Sequence, residues 1–116
     1  MVIVSIQMKV LPQKRGELLQ ALRGIAESAR RDKGCVSHNL YQDMEDENRI
    51  RILETWEAQE DLDRHWCTDG FSALLGTKHL LIEPPLFEIH AVSGTVGKET
   101  VDQVRMRKRK DLHAWN

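Results

Sequence analysis

The apolar pattern of this chain changes period twice, and each change marks a strand handing over to a helix. "MVIVSIQMKV" is rich in Val, Ile and Met, reads as a strand from Val2 to Val10, and is broken at Pro12 in "LPQKRG". From Gln13 the spacing lengthens: Leu18, Leu22, Ile25 and Ala29 recur at four, three and four residues, widened by Leu19 and Ala26. That stripe predicts an amphipathic helix to about Lys33, stopped by Gly34. Cys35 to Gln42 and Arg49 to Trp56 read as two strands joined by the polar turn "DMEDEN". Glu57, Glu60 and Asp61 then crowd the start of a second helix, where the helix dipole favours negative charge. That helix is expected to bury Ala58, Leu62 and either His65 or Trp66. "TDG" breaks it, with Thr68 or Asp69 capping a short turn that carries Phe71, Leu74 and Leu75. Pro84 and Pro85 precede a last strand, Leu86 to Ser93.

The order is β-α-β-β-α-β, which predicts an α+β, ferredoxin-like fold: an antiparallel sheet with helices on one face. At 116 residues the chain can build one core of this kind but not two. The domain is expected over residues 1–93, with a basic tail over 94–116. A sheet covered on one side leaves its other face open. Both alternating sets of Cys35 to Gln42 are partly apolar, so a homodimer pairing the open faces is expected.

Composition excludes several classes of function. With 41% hydrophobic and 30% charged residues the chain is neither disordered nor membrane-like, and its net charge of −1 gives no general attraction to nucleic acid or acidic membranes. The N-terminus lacks the basic start, apolar run and cleavage site of a secretory signal. Cys35 and Cys67 stand far apart without CxxC spacing, which suggests neither a disulfide framework nor a zinc site. A cytoplasmic location is the simplest expectation.

Two stretches, "GCVSHNLYQD" (34–43) and "LETWEAQEDLDRHWCTDGFSALL" (53–75), resemble the antibiotic biosynthesis monooxygenase (ABM) superfamily of dimeric α+β barrels. Its pattern falls here at Gly34-Cys35, Asp43, Glu54 and Trp56, Leu62 and His65, and Phe71; the likeness spans roughly Val2 to Val92. There are two departures. His38 stands where members often carry an aromatic residue, and Gly70 where many have a histidine. The haem-degrading branch would place its ligating histidine near Leu75 and an asparagine near Gln7, and neither matches. The resemblance implies a homodimer and activity without flavin, metal or haem.

Strand alternation puts Ile50, Ile52, Glu54 and Trp56 on one face. By the family pattern that face looks toward the helices, as does the set Val36, His38 and Leu40. His38 and Glu54 are thus expected on neighbouring antiparallel strands, where a half-buried carboxylate beside an imidazole suits general acid/base work. The same pair also reads as a structural ion pair. Trp56 serves equally as a flat wall with an indole donor for an aromatic ligand or as a core residue. Trp66, turned inward by its spacing from Leu62, is expected in core or dimer packing, and His65, four residues before Asp69, reads either as a bonded, partly exposed residue or as a second polar contact for substrate. Phe71 and Leu75 are expected to supply apolar lining. Tyr41 and Asn39 belong on the opposite strand face, at the dimer contact.

His38, His65, His79 and His90 form no HxH or HxxxH set, so no metal site is predicted. "GTVGKET" (94–100) lacks the spacing and βαβ setting of a phosphate loop. The basic stretch "VDQVRMRKRK" suggests a short helix or a tail packing on the partner subunit rather than a nucleic-acid site. The resemblance implies a cofactor-independent monooxygenase acting on a small aromatic or quinol-like molecule, with His38 and Glu54 as candidate catalytic residues and Trp56, His65, Phe71 and Leu75 as candidate substrate contacts. A non-catalytic ligand-binding dimer and an isomerase with the same acid/base pocket are the alternatives.

Overall fold

The computed structural model describes residues 1–114, so the last two residues of the predicted tail lie outside the described residues. Four strands, β1 (Val2–Lys9), β2 (Cys35–Gln42), β3 (Arg49–Trp56) and β4 (Leu86–Ala91), form one antiparallel sheet in the order β2-β3-β1-β4. Helices α1 (Arg15–Arg30), α2 (Gln59–Trp66) and α3 (Asp69–Leu75) pack on it, and α4 (Lys98–Ala114) follows β4. This is the ferredoxin-like arrangement that the alternating periods predict.

The core lies between the sheet and the helices. Val4, Ile6 and Met8 of β1 and Ile50 and Ile52 of β3 meet Leu18 and Leu22 of α1, all buried. Burying a side chain of this size contributes about 1.5–3 kcal/mol, and this layer supplies most of the drive to fold. A single 3-10 turn, Pro12–Lys14, leads into α1, which therefore starts later than expected and ends at Arg30, before Lys33.

Gly34, at φ +83°, carries the chain from α1 into β2. A Cβ at that position would overlap the Asp61 carboxylate, and the Gly34 carbonyl accepts from the Glu57 amide at 2.9 Å. Only glycine suits both the positive φ and the close approach. The result ties the end of α1 to the start of α2.

A bulge between Cys35 and Ser37 resets the phase of β2. Cys35 therefore lies opposite Trp56, and His38 opposite Glu54. Simple alternation puts Val36 with His38 and Leu40 on the helix side, but Val36 is the bulged residue and is exposed. β4 ends at Ala91 rather than Ser93. Between Lys98 and Lys110, α4 is solvent-exposed apart from a half-buried Thr100. Among the described residues no helix is long and apolar enough to cross a membrane.

Candidate active site

Glu54 and Trp56 stand two residues apart on the helix-facing side of β3, so both side chains rise toward α2. The Trp56 indole N–H donates to Glu54 Oε1 at 2.8 Å. The indole donor is thus taken up by the Glu54 carboxylate in this structure. From β2, His38 Nε2 comes within 3.5 Å of Glu54 Oε2. The neighbouring placement read from strand order is thus realised in the register.

The second helix turns His65 inward instead of Trp66. His65 is 3% exposed, whereas Trp66 is half-buried against the core edge. The imidazole lies over Trp56 with ring centroids 4.5 Å apart, and its Nε2 is 3.9 Å from Glu54 Oε1. Its partner is Asp32, in the turn after α1, at 2.8 Å from Nδ1, not Asp69 as helical spacing suggests. Asp32 went unrecognised in the sequence because it lies 33 residues away, and the Gly34 turn is what brings it there. Glu54, Trp56 and His65 thus share one cluster with His38 and Asp32.

Burial sets the protonation states. Desolvation pushes the Glu54 carboxyl up from its usual range, opposed by the Trp56 N–H and by His65. The His38 imidazole is pushed down from 6.5 to about 4, first by burial and then by the positive charges of His65 and Arg30. Arg30 also fixes β2 here, its Nε donating to the His38 carbonyl at 3.0 Å. Near neutral pH the His38 imidazole is therefore neutral, so the pair is not an ion pair, and it faces a carboxyl whose pKa burial has raised. Three buried atoms, His38 Nδ1, His38 Nε2 and Glu54 Oε2, have no hydrogen-bond partner among the described residues. Each such atom costs about 1–3 kcal/mol, a cost that core packing alone gives no reason to bear.

Phe71 borders this cluster. The Thr68 hydroxyl donates to the His65 carbonyl at 2.6 Å and accepts from the Phe71 amide at 3.2 Å, capping α3 and locking the two residues together. Phe71 meets His65 edge-on at 5.7 Å and Phe87 of β4 at 6.3 Å. Beyond Phe87 lies an apolar cavity of about 240 Å³ lined by Ile6, Leu74, Leu75, Leu81 and Pro85, with Lys78 also on its wall. Leu75 lines this cavity, which is separate from the polar cluster, and Phe71 stands between the two. A larger hollow of about 580 Å³ lies elsewhere, among Gln7, Tyr41, Arg49, Arg51 and Leu53, and no member of the polar cluster lines it. Among the described residues no three acidic, His or Cys side chains are grouped to hold a metal ion.

The family model described as antibiotic biosynthesis monooxygenase matches residues 1–75. An uncharacterised protein of Synechocystis sp. is 27% identical over 95 residues, covering 81% of this chain, which spans 65% of that protein's length. YcnE of Bacillus subtilis, named as a candidate monooxygenase, is 26% identical over 86 residues, covering 74% of this chain and 90% of its own. The solved structure of a mutant of SnoaB, a cofactor-independent oxygenase from Streptomyces nogalater, superposes with a TM-score of 0.72 at 16% identity. That superposition covers 84% of this chain and 97% of SnoaB.

Proposed function

The chain belongs to the antibiotic biosynthesis monooxygenase family, and from that premise we propose that it is a cofactor-independent monooxygenase acting on a small aromatic or quinol-like molecule. The observation that carries this reading is the buried Glu54–His38 pair, 3.5 Å apart with unpartnered polar atoms, separated by Phe71 from an apolar cavity of about 240 Å³.

In this reading the cavity past Phe87 takes the apolar body of the substrate, and Phe71 shifts to let its hydroxylated edge reach Glu54. Burial makes the Glu54 carboxylate a stronger base than a surface carboxylate. It removes a phenolic or enolic proton, and the electron-rich ring carbon then reduces O₂. A carbon–oxygen bond forms to give a hydroperoxide. Reprotonation and loss of water leave a carbonyl at that carbon, so one oxygen atom enters the product and the other leaves as water. The substrate is the reductant and O₂ the oxidant. His38, neutral, holds the departing or arriving hydroxyl through Nε2. The homodimer belongs to this proposal: pairing of the open sheet faces would cover the hollow at Tyr41 and Arg51.

Oxygen uptake with a panel of dihydroxy-aromatics, together with ¹⁸O₂ labelling, tests the reading. One labelled oxygen in the product, and none when Glu54→Gln replaces the native chain, is the expected result. The sealing of the cluster, with Trp56 fully buried and Glu54 1% exposed, favours a second reading as a ligand-binding dimer. Thermal stabilisation by a panel compound without oxygen consumption would select that alternative.

A further inference from the structure

His65 is gripped from every side. Trp56 and Glu54 face it from β3, Phe71 from α3 and Asp32 from the turn after α1, and His38 on β2 is near enough for the two imidazoles to interact electrostatically. At 2.8 Å, the contact from Nδ1 to Asp32 Oδ2 has hydrogen-bond length. A carboxylate can only accept, so Nδ1 carries a proton, and Nε2, bare whenever the ring is neutral, is aimed at Glu54 Oε1, 3.9 Å away. Asp32 is 29% exposed at its side chain, whereas His65, Glu54 and His38 are at 3%, 1% and 1%. A partly hydrated carboxylate thus reaches into an otherwise dry cluster, through one histidine, toward the buried acid.

We propose that Asp32 is the positioning residue of this site, fixing the His65 tautomer so that Nε2 can take the proton Glu54 collects and stabilising the imidazolium that results. The proposal rests on the reading of Glu54 as proton acceptor. The step is balanced: the Glu54 O–H bond breaks, an N–H bond forms on His65 Nε2, and the Glu54 carboxylate is restored. The positive charge so created is paired with Asp32. Later the same proton moves back from Nε2 to the peroxide oxygen, and no other reactant is required. A shift of about 1 Å in the ring or the carboxyl brings the 3.9 Å gap to hydrogen-bond length, and the movement of Phe71 that admits substrate also frees the edge of His65.

Two readouts test this. Histidine ¹⁵N NMR on the ligand-free full chain, at a pH where the ring is neutral, should show His65 protonated at Nδ1 and bare at Nε2. The near-isosteric Asp32→Asn should move that proton to Nε2, and Asp32→Glu should keep it on Nδ1. In oxygen-uptake kinetics Asp32→Asn should lower kcat by at least ~10-fold with KM little changed, and Asp32→Glu should recover most of the loss. A purely structural aspartate would change thermal stability without moving the tautomer. A native His65 protonated at Nε2, or an Asp32→Asn chain with unchanged tautomer and kcat, overturns the proposal. Absence of turnover in the native chain would sink the monooxygenase reading, while the tautomer comparison would still decide whether Asp32 controls His65.

Discussion

The helix-covered face of the sheet has two unlike ends. Toward β2 and the C-terminal end of β3 it holds Glu54, His38, His65 and Trp56, all nearly without solvent contact and with polar atoms left unpartnered. Toward β4 it holds room: a mainly apolar cavity of about 240 Å³ walled by Leu74, Leu75, Leu81 and Phe87, with Thr77 and Lys78 at its wall. One end has reactive groups and no space, and the other has space and no reactive groups. Phe71 touches both, through His65 on one side and Phe87 on the other. In this account chemistry requires the two ends to communicate, and dryness at the reactive end is what tunes its acid and base.

Removing the reactive group should separate the ends most sharply. Glu54→Gln should abolish turnover by about 10²–10⁴-fold while leaving ligand affinity in the apolar cavity nearly unchanged, as read by oxygen uptake and calorimetry. The same variant carries a stability signature. The folded chain holds the Glu54 proton above the usual 4.5, so that contribution is full below 4.5 and lost as pH rises through the folded value. Glu54→Gln abolishes that loss, so its melting temperature relative to the native chain should climb as pH rises above 4.5.

A change confined to the roomy end should do the opposite. Leu75 is 48% exposed, so Leu75→Arg should leave the fold intact, raise KM by about 10-fold and leave kcat within about twofold. If kcat falls with it, the two ends are not separable.

His38 tests dryness through acid sensitivity. Its folded pKa of about 4 lies below the ordinary 6.5, so the stability it contributes is full above 6.5 and lost as pH falls toward 4. Denaturant titrations should show the native chain losing stability over that window, by a few kcal/mol at most, and His38→Gln should flatten the slope. The smallest effect belongs to the surface. Arg64→Ala removes an exposed contact to Asp61 at 3.2 Å and should cost less than about 1 kcal/mol with no change in kinetics.

The sequence made the fold legible because periodicity reports burial directly. The stripe Leu18, Leu22, Ile25 and Ala29 is buried as read, and the His38–Glu54 pairing followed from strand order. Three features escaped. The bulge at Cys35/Ser37 turns Val36 outward, and nothing in the alternation announces an extra residue. His65 rather than Trp66 faces inward, because Asp32 and Glu54 offset the cost of burying an imidazole, and a hydrophobicity pattern cannot register partners on other elements. Trp56 was legible as a pocket candidate, but its N–H bond to Glu54 depends on side-chain rotamers two residues apart, which spacing alone leaves open. In each case the missing information is a contact that the local pattern does not encode, and Gly34 was its one local trace.

The titration of Glu54 itself bears most directly on the central claim that a dry acid with a raised pKa communicates through Phe71 with a ligand cavity. Difference infrared spectra between the native chain and Glu54→Gln isolate its carboxylic C=O band. The account predicts a band that persists to pH values well above the ordinary carboxylate range and shifts when a ligand fills the cavity at Leu75 and Phe87. A band that disappears near pH 4.5, unmoved by ligand, would contradict it.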